Sequence, residues 1–416
     1  MKPQVYSEIG RLRKVLVHRP GKEIDIIVPE MTKELLMEDI LFGERAQQEH
    51  DQMCEVFHKF DAETYDAQSL LIETLMTAKP YVIDSFLIQL QQLENFSDEV
   101  FQKLKRMTPS ELGNALIYGI LHAPNIMTDE KLYFFKPVPN FIFARDPVIT
   151  VYDKILASAM AEPVRQREAK ILTFIFTNHT IFGMPHNLID LHELSTEKAK
   201  ITLEGGDFLV VDHQTIFIGL SSRTTLSSIK MLAGELKKLG VAYLFVAKLP
   251  PKVSFIHLDT VFTRISQTEC LIYPPLFAKE SQTRAEISFF DLTGEKPKEK
   301  KFDTIFEGLA EVGINLIPIY CGGKENLINQ KREQWTQGAN AFCMAPGIIM
   351  TYARNIYTAK ELSKAGYLVV NASEVLSPTF AVEMDRKLAI LIQGDELCRA
   401  RGGPRCLTQP LIRDKF

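Results

Sequence analysis

Four short stretches of the sequence combine turn-forming residues with groups capable of acid–base or nucleophilic chemistry. They are PNFIFARDP with Asn140, Arg145 and Asp146, LEGGDFLV with Glu204 and Asp207, IHLDTVF with His257 and Asp259, and RGGPRC with Arg401 and Cys406. A cysteine, a histidine and an orienting carboxylate form a set that supports covalent catalysis. Each stretch alone is also compatible with an ordinary edge strand or surface turn. A shared function therefore requires that the fold bring them together.

The HLD stretch places an imidazole two residues before a carboxylate. In a strand, residues two apart point to the same side, so this spacing predicts that His257 and Asp259 face one cavity. Their neighbours Phe255, Val261 and Phe262 are apolar. Polar side chains buried among apolar ones require hydrogen-bonding partners. We therefore expect both side chains to have partners in a buried site.

Cys406 differs from the other cysteines, which stand at 54, 270, 321, 343 and 398. No two of the six form a CxxC pair, and none has zinc-ligand spacing with histidine. Cys406 follows a Gly-Gly-Pro-Arg loop and has Arg399, Arg401 and Arg405 nearby. Positive charge favours the thiolate, which is the reactive form of cysteine. Cys406 is therefore the candidate nucleophile among the six, although a glycine-loop cysteine is also compatible with a structural thiol, and the other five are expected to be structural.

The carboxylates around this cysteine and histidine indicate the kind of substrate. An acyl-transfer site needs hydrogen-bond donors around its oxyanion, whereas Asp146, Glu204 and Asp259 are acceptors. Acceptors suit a cation, and a guanidinium presents forked N–H donors that match carboxylates in pairs. The residues therefore favour a guanidinium-bearing substrate.

Composition narrows the class of protein. The chain has 416 residues, 46% of them hydrophobic and 24% charged, with a formal charge of −4. This balance predicts a folded protein with a large core, organised as two or three domains or as one large domain with an insertion. It argues against nucleic-acid binding and against binding to a membrane surface through a polybasic patch. No secretory signal or membrane-length apolar run is present, so we expect a cytoplasmic protein.

Hydrophobic periodicity gives the order of elements. Strands are predicted at 13–19 and 62–67, and helices at 31–58 and throughout 69–121, with Thr108-Pro-Ser-Glu111 as a helix start. After Pro137, amphipathic helices at Thr225–Leu239 and Thr358–Ala365 separate short β-rich runs. These runs are Asn140–Tyr152, Phe174–Phe182, Asp207–Leu220, His257–Tyr273, Asn315–Tyr320, Phe342–Ala353, Tyr367–Asn371 and Lys387–Gln393. The alternation predicts an α/β protein.

Several runs share one form, in which a polar residue precedes a strand, a turn and a second strand. They begin near Val15, Asp146, Asp207, Asp259 and Gly347, with Cys406 in a final run. The first spacing is longer than the others by about one unit, and the helical block falls inside it. This predicts a repeated α/β unit with one helical insertion.

These residues together resemble the arginine deiminase family of the guanidine-modifying, amidinotransferase-like superfamily. The matching stretches are RLRKVLVHRPGKE, LLMEDILFGERAQQEHD, PNFIFARDP, EGGDFLV, IGLSSRTT, HLDTVFT, APGIIMTYARN and RGGPRCLTQPLIRD. They occur in the family's order from about residue 10 onward. The helical block, with the LLMEDILFGERAQQEH stretch before it, favours the arginine deiminase branch.

The resemblance implies a fold, a reaction and partners. The fold is a pseudo-fivefold α/β propeller of repeated ββαβ units with a helical-bundle insertion. Residues 1–66 and 126–416 would form the catalytic domain and 67–125 the insertion. The reaction is hydrolysis of free L-arginine to L-citrulline and ammonia through an S-amidino-cysteine intermediate, in arginine catabolism. No cofactor and no metal are implied, and a homodimer or higher homo-oligomer is expected.

The resemblance also implies a role for each matching residue. Cys406 is the nucleophile, His257 the general acid and base, and Glu204 the acid that holds the histidine. Asp146 and Asp259 clamp the guanidinium, and Phe143 lines the same pocket. Asn140, Arg165 and Arg223 bind the substrate's α-carboxylate, and Arg401 belongs to a mobile loop that gates the site.

Two alternatives stay open. A related guanidine hydrolase or amidinotransferase would share the cysteine, histidine and aspartates but lack the helical insertion. A catalytically impaired arginine-binding paralogue is the second. Cys398 and Ala400 stand where the family usually has glycines, which bears on the mobility of the gating loop.

Overall fold

Short β-rich runs alternate with helices in the computed structural model, which describes residues 1–122, 132–182, 188–191, 193–194 and 201–416. The strands are β1 Leu12–Val17, β2 Glu63–Asp66, β3 Ile120–Leu121, β4 Tyr133–Phe135, β5 Val148–Val151, β6 Lys154–Ala157, β7 Leu188–Asp190, β8 Phe208–Val210, β9 Thr215–Leu220, β10 Tyr243–Lys248, β11 Phe262–Arg264, β12 Glu269–Ile272, β13 Glu286–Asp291, β14 Lys298–Phe302, β15 Ile317–Tyr320, β16 Phe342–Ala345, β17 Ile348–Tyr352, β18 Leu368–Asn371, β19 Leu388–Ile392 and β20 Gln409–Arg413.

Helices cover the predicted helical block and separate many of the strands. They are α1 Lys22–Asp25, α2 Pro29–Leu35, α3 Gly43–Lys59, α4 Ala67–Thr77, α5 Pro80–Glu94, α6 Asp98–Lys105, α7 Pro109–Tyr118, α8 Gln166–Asn178, α9 Leu226–Lys238, α10 Pro274–Phe277, α11 Ile305–Glu311, α12 Leu327–Trp335, α13 Ile356–Lys364 and α14 Ala372–Val375. The predicted start at Thr108 is confirmed, because Thr108 and Glu111 form a capping box at the N-terminus of α7.

One pairing pattern recurs in five sheets of the described chain. In each, an antiparallel strand pair continues into a third strand that runs parallel to one member of the pair. The trios are β5-β6-β7, β8-β9-β10, β11-β12-β15, β16-β17-β19 and β20-β1-β2. A helix lies between the parallel strands in sequence, as such crossovers require. The α/β class is confirmed.

The last of these sheets is built from distant parts of the chain. β20 pairs antiparallel with β1, so that Leu12 lies opposite Arg413 and Leu16 opposite Gln409. The backbone carbonyl of Gln4 accepts a hydrogen bond from the Arg413 amide at 2.7 Å. The loop that carries Cys406, which precedes β20, is therefore held by the pairing of β20 with β1.

The helical block shares its core with the rest of the protein. Buried leucines of α4, α5 and α7 form one cluster with apolar residues of α8 and with Leu16 and Leu411 of the terminal sheet. Phe86 of α5 stacks on Phe174 of α8 with ring centroids 4.2 Å apart. The block is thus packed as part of the main core, and its predicted end near residue 125 lies outside the described residues.

Three sequence-based assignments are corrected. Phe174–Phe182 was expected to be a strand, but α8 extends to Asn178, because Ile171, Leu172 and Ile175 repeat at helical spacing. The helix expected at 31–58 is interrupted between α2 and α3, where Leu36 has φ 57°. Residues 69–121 are not helical throughout, since Ile120–Leu121 pairs with β4.

No helix in the described part of the chain combines the length and the apolar character needed to cross a bilayer.

The shared core gives a prediction for α5. Leu90 is 0% exposed, whereas Ile88 of the same helix is 45% exposed. Leu90→Ala should lower the free energy of unfolding by about 2–5 kcal/mol, because it leaves a cavity in a close-packed core. The matched control Ile88→Ala should change it by less than about 0.5 kcal/mol. Urea denaturation measures both, and equal costs for the two substitutions would contradict the packing described.

Candidate active site

The candidate residues occupy short turns immediately before the hairpins, not the strands themselves. Glu204 precedes the 3₁₀ turn Gly205–Asp207, and His257 precedes the 3₁₀ turn Leu258–Thr260. The prediction that His257 and Asp259 share a strand face is therefore wrong. His257 is extended and Asp259 is helical. The polar residues still gather, because the turns lead into neighbouring hairpins.

The two glycines of the EGGD turn allow close backbone approach. A Cβ on Gly206 would collide with the His257 ring, and one on Gly205 would collide with the backbone carbonyl of Arg145. Only glycine, which has no Cβ, fits at these two positions without displacing the neighbouring atoms. The turn therefore brings Glu204 against both the histidine segment and the FARDP segment.

His257 is held between two carboxylates. Its Nε2 lies 2.8 Å from Glu204 Oε2, and its Nδ1 lies 3.6 Å from Asp146 Oδ1. Burial opposes protonation of the ring, but Asp146 and the hydrogen bond to Glu204 outweigh it and raise the pKa of His257 to about 9. Burial opposes ionisation of Glu204, but the hydrogen bond to His257 and the charges of Arg223, His257 and Arg165 together outweigh it and lower the pKa of Glu204 to about 2. At neutral pH the pair is an imidazolium bonded to a carboxylate.

Cys406 lies within reach of Asp259 and Asn340. Its Sγ is 3.6 Å from Asp259 Oδ2 and 3.1 Å from Asn340 Nδ2. Burial, followed by the charges of Asp259 and Asp146, raises the pKa of the thiol well above its ordinary value. The free protein therefore holds Cys406 as a thiol.

The nearby arginines do not lower the pKa of Cys406 enough to outweigh burial and the two aspartates, as the sequence suggested they would. Arg399 pairs at the surface with Asp39 and Glu396, and the Arg401 guanidinium stacks 3.4 Å from the ring centroid of Trp335. Arg405 favours the thiolate, but its guanidinium is committed to two carboxylates and its effect is smaller than those of burial and the aspartates. The expectation of an arginine-stabilised thiolate in the free protein is wrong.

Each site aspartate shares an arginine with a buried glutamate. Arg405 binds Asp259 at 2.8 Å and Glu8 at 3.0 Å. Arg165 binds Asp146 and Glu168, both at 2.8 Å. Each of these acid–arginine–acid triads carries two carboxyl groups for one guanidinium.

Each aspartate has one oxygen that accepts no hydrogen bond among the described residues, although that of Asp146 lies 3.6 Å from His257 Nδ1. Asp146 Oδ1 and Asp259 Oδ1 are buried and have no hydrogen-bond partner among the described residues. Buried acceptors are normally satisfied, so two such oxygens near one thiol indicate a place for an external donor.

The residues expected at the α-carboxylate end lie around the same cavity. Among the described residues, Arg223 Nη1 and Arg401 Nε and Nη1 have no hydrogen-bond partner, although Arg223 Nη1 lies 3.6 Å from Glu204 Oε1. Arg401 also donates to the Val253 carbonyl at 3.2 Å. Arg165 is less free than expected, because its donors are used by Asp146, Glu168 and the Asn140 carbonyl. Its carboxylate-binding role stays a prediction.

These groups surround one cavity of about 430 Å³. This is within the usual range for a small-molecule site. The predicted residues that line it are Asn140, Phe143, Asp146, Arg165, Arg223, His257, Arg401 and Cys406. Glu204 and Asp259 lie behind the wall, in contact with His257 and Cys406 respectively.

Two of the segments that line the cavity are joined by an ion pair between Asp39 and Arg399 at 3.0 Å. Met37 and Glu38 line the cavity from one side, and Ala400 and Arg401 from the other. Glu49 of α3 accepts hydrogen bonds from the successive backbone amides of residues 395–397. Cys398, which stands where the family usually has a glycine, is buried, and its Sγ accepts a hydrogen bond from Arg354 at 2.6 Å. Neither Cys398 nor Ala400 has a positive φ, the conformation that would favour glycine. The loop geometry therefore accommodates both departures.

Donor atoms of Asp146, Glu204 and His257 lie within 4.8 Å of one another, which is compatible with a metal ion. Glu204 is bonded to His257, however, and Asp146 to Arg165. These pairings suit an acid–base group, and the expectation of a metal-free site stays a prediction.

Sequence reasoning missed several residues that organise the site. Asn340, Glu168 and Glu8 were not singled out, and Asp207 was given no role. Asp207 accepts from Ser221, Thr224 and the Leu258 amide, which fixes the residue after His257. A lone polar residue before an apolar run, as in GANAF, was the available signal for Asn340.

Solved structures with a similar fold belong to guanidine-modifying enzymes. One is a dimethylarginine dimethylaminohydrolase from Pseudomonas aeruginosa complexed with citrulline, 11% identical, with a TM-score of 0.51 over 96% of this chain and 99% of that one. Another is an amidinotransferase of saxitoxin biosynthesis from Microseira wollei, 11% identical, with a TM-score of 0.54 over 100% and 98%. At these identities the likeness defines the fold alone.

Sequence comparison then gives the family. The arginine deiminase family model matches residues 33–413. The chain is 31% identical to the arginine deiminase of Listeria monocytogenes serotype 4a, over 99% of this chain and 98% of that protein. It is also 31% identical to that of Bacillus cereus strain B4264, over 98% of each. The chain belongs to the arginine deiminase family.

The His257 contacts predict a titration. The ring should be protonated below pH about 9 and lose its proton above it. Glu204→Gln removes one stabilising charge and should lower the His257 pKa by about 1–3 units. NMR of histidine-labelled protein measures this, with His257→Gln to assign the signal. Glu162 also lines the cavity, so Glu162→Gln is the matched control and should leave the pKa of His257 unchanged. An unchanged His257 titration in Glu204→Gln would refute the coupling.

Proposed function

We propose that the protein hydrolyses free L-arginine to L-citrulline and ammonia through an S-amidino-cysteine intermediate. The observation that carries this proposal is the pair of buried oxygens, Asp146 Oδ1 and Asp259 Oδ1, that accept no hydrogen bond among the described residues, with Asp259 in contact with Cys406 through its other oxygen. A guanidinium supplies planar N–H donors to two carboxylates at once. Membership of the arginine deiminase family supports the same substrate.

The substrate cation would also activate the nucleophile. Asp146 and Asp259 disfavour the thiolate of Cys406 in the free protein. A guanidinium bound between them offsets their charge, so the thiol loses its proton to solvent when substrate is bound. The thiolate then lies next to the guanidino carbon of the bound substrate, and this proximity supplies part of the rate enhancement.

In the first half-reaction, the Sγ electron pair forms a bond to the guanidino carbon, and one C–N π pair moves to nitrogen. Asp146 and Asp259 orient the neutral adduct and stabilise the positive charge that returns when ammonia leaves. His257 donates a proton to the departing nitrogen, the C–N bond breaks, and ammonia leaves. Glu204 supports this step because it keeps His257 protonated at neutral pH. A cationic S-amidino-cysteine remains.

In the second half-reaction, neutral His257 takes a proton from water, and the hydroxide adds to the amidino carbon. The C–S bond then breaks with its electron pair returning to sulfur. The protonated urea product loses its proton to become citrulline. His257 is again protonated, and Cys406 regains the form in which it attacked.

The opposite end of the cavity favours a free amino acid. Arg223 and Arg401 offer donors that have no hydrogen-bond partner among the described residues, with Asn140 and Arg165 beside them. Guanidinium groups match a carboxylate, and an arginine within a peptide has no free α-carboxylate to bind. Phe143 forms part of the wall, with its ring centroid 5.9 Å from the Arg165 guanidinium carbon.

The fold and assembly complete the proposal. The five similar sheets would surround a pseudo-fivefold axis as an α/β propeller, with residues 1–66 and 126–416 as the catalytic domain and 67–125 as the insertion. The cluster shared by the insertion and α8 supports a fixed rather than a mobile insertion. We expect a homodimer or a higher homo-oligomer, which light scattering would measure.

Purified protein incubated with L-arginine should release citrulline and ammonia in equal amounts. Cys406→Ser should abolish both, because a hydroxyl is a much weaker nucleophile than a thiolate. Cys398→Ser, on the same loop, is the matched control and should retain turnover. Binding of arginine without citrulline would indicate the impaired paralogue, and turnover only with an added amine acceptor would indicate an amidinotransferase.

Selectivity for the α-carboxylate can be tested separately from turnover. In the Cys406→Ser background, Arg223→Ala should weaken L-arginine binding about 10-fold or more, since it removes a charged hydrogen bond. Agmatine, which lacks the carboxylate, should bind the variant with both substitutions with an affinity within about twofold of its affinity for the Cys406→Ser protein. Isothermal titration measures both. Equal losses for the two ligands would contradict a carboxylate role for Arg223.

A further inference from the structure

Asn340 lies directly behind the nucleophile. It is 0% exposed and stands two residues before β16. A Cβ on Gly403 would collide with its side chain, so the glycine loop is packed against the amide. Asn340 Nδ2 lies 3.1 Å from Cys406 Sγ. This amide is therefore in direct contact with the atom that forms the covalent bond.

The orientation of the amide is fixed by its other contacts. Oδ1 accepts from the backbone N–H of Arg405 at 3.1 Å and of Cys406 at 3.2 Å. Exchanging the amide oxygen and nitrogen would turn N–H groups toward these two donors. Nδ2 must therefore be the group that faces Sγ, and it also donates to the Asp259 carbonyl at 3.1 Å. Asn340 is a hydrogen-bond donor to the sulfur.

The strength of this bond depends on the state of the sulfur. A thiol is a weak acceptor, whereas a thiolate is charged and accepts much more strongly. In the described chain, the groups facing Sγ include the Asp259 carboxylate at 3.6 Å, which repels negative charge. Asn340 offsets this repulsion at the moment when sulfur carries charge.

We propose that Asn340 is a catalytic residue that stabilises the Cys406 thiolate through its Nδ2–H donor. The inference rests on the proposed function, since it concerns the same covalent chemistry. The donor acts twice: when the thiol loses its proton to solvent before the S–C bond forms, and when that bond breaks and its electron pair returns to sulfur. In the covalent intermediate the sulfur is neutral and the bond is weak.

Two substitutions separate this role from holding the loop. Asn340→Asp keeps an oxygen for the amides of Arg405 and Cys406 but replaces the donor that faces Sγ with an acceptor. Asn340→Ala removes both functions. Asn355→Ala is the matched control, because Asn355 is also 0% exposed but its side-chain bonds are to Thr336. Urea midpoints show whether each variant folds.

The first readout needs no substrate. The rate of iodoacetamide alkylation at Cys406, followed by peptide mass spectrometry across pH, reports the thiolate fraction. Asn340→Asp should alkylate about 10-fold or more slowly at a given pH, since a hydrogen bond to a charged group is lost. Asn355→Ala should alkylate like the wild type. Unchanged alkylation in folded Asn340→Asp would overturn the proposal, because a purely structural role survives that substitution.

The second readout is turnover. For Asn340→Asp, kcat for citrulline formation should fall about 10-fold or more while KM for L-arginine stays within about threefold, since loss of the thiol proton is a step of the bound complex that follows substrate binding. A rise in KM at constant kcat would overturn the inference. If the wild type forms no citrulline, the proposed function fails, while the alkylation rates still decide whether Asn340 stabilises the thiolate.

Discussion

The site depends on two buried acid–arginine–acid triads, Glu8–Arg405–Asp259 and Glu168–Arg165–Asp146. Each triad satisfies its arginine and leaves one aspartate oxygen that accepts no hydrogen bond among the described residues. Buried charges are costly unless they are paired, so such an arrangement persists only where the surrounding hydrogen bonds fix it. The internal arginines hold the aspartates in place, and these two aspartate oxygens leave the cavity ready for one more cation.

The site carboxylates act on His257 and Cys406 in opposite directions. Those around His257 favour its charged form, whereas those around Cys406 disfavour the thiolate. His257 is therefore protonated before a cation enters the cavity, whereas Cys406 is still a thiol. A protein with this arrangement protects its thiol from unproductive reaction until a cation enters, because reactivity requires the thiolate.

Sequence patterns predicted the residue types of the site better than their geometry. Cysteine, histidine and carboxylates stand in short motifs with turn residues, and these motifs were sufficient to locate the cavity-lining groups. The 3₁₀ turn at Asp259 was missed, because the period-two spacing of HLD is also that of a strand. Long-range pairings such as Glu8 with Arg405 have no local signal, so neither the triads nor the raised thiol pKa could be predicted from sequence. Asn340 was missed for the same reason, since its partners lie more than sixty residues away.

The pairing of β20 with β1 has a consequence for when the Cys406 loop is fixed during folding. Glu204 and His257 precede turns that lead into hairpins whose two strands are neighbours in sequence. The loop that carries Cys406 leads instead into β20, whose antiparallel partner β1 is distant in sequence. Such a long-range contact forms late, because loop closure must precede it. A chain in which β20 has not yet joined β1 therefore holds Glu204 and His257 before the Cys406 loop is fixed.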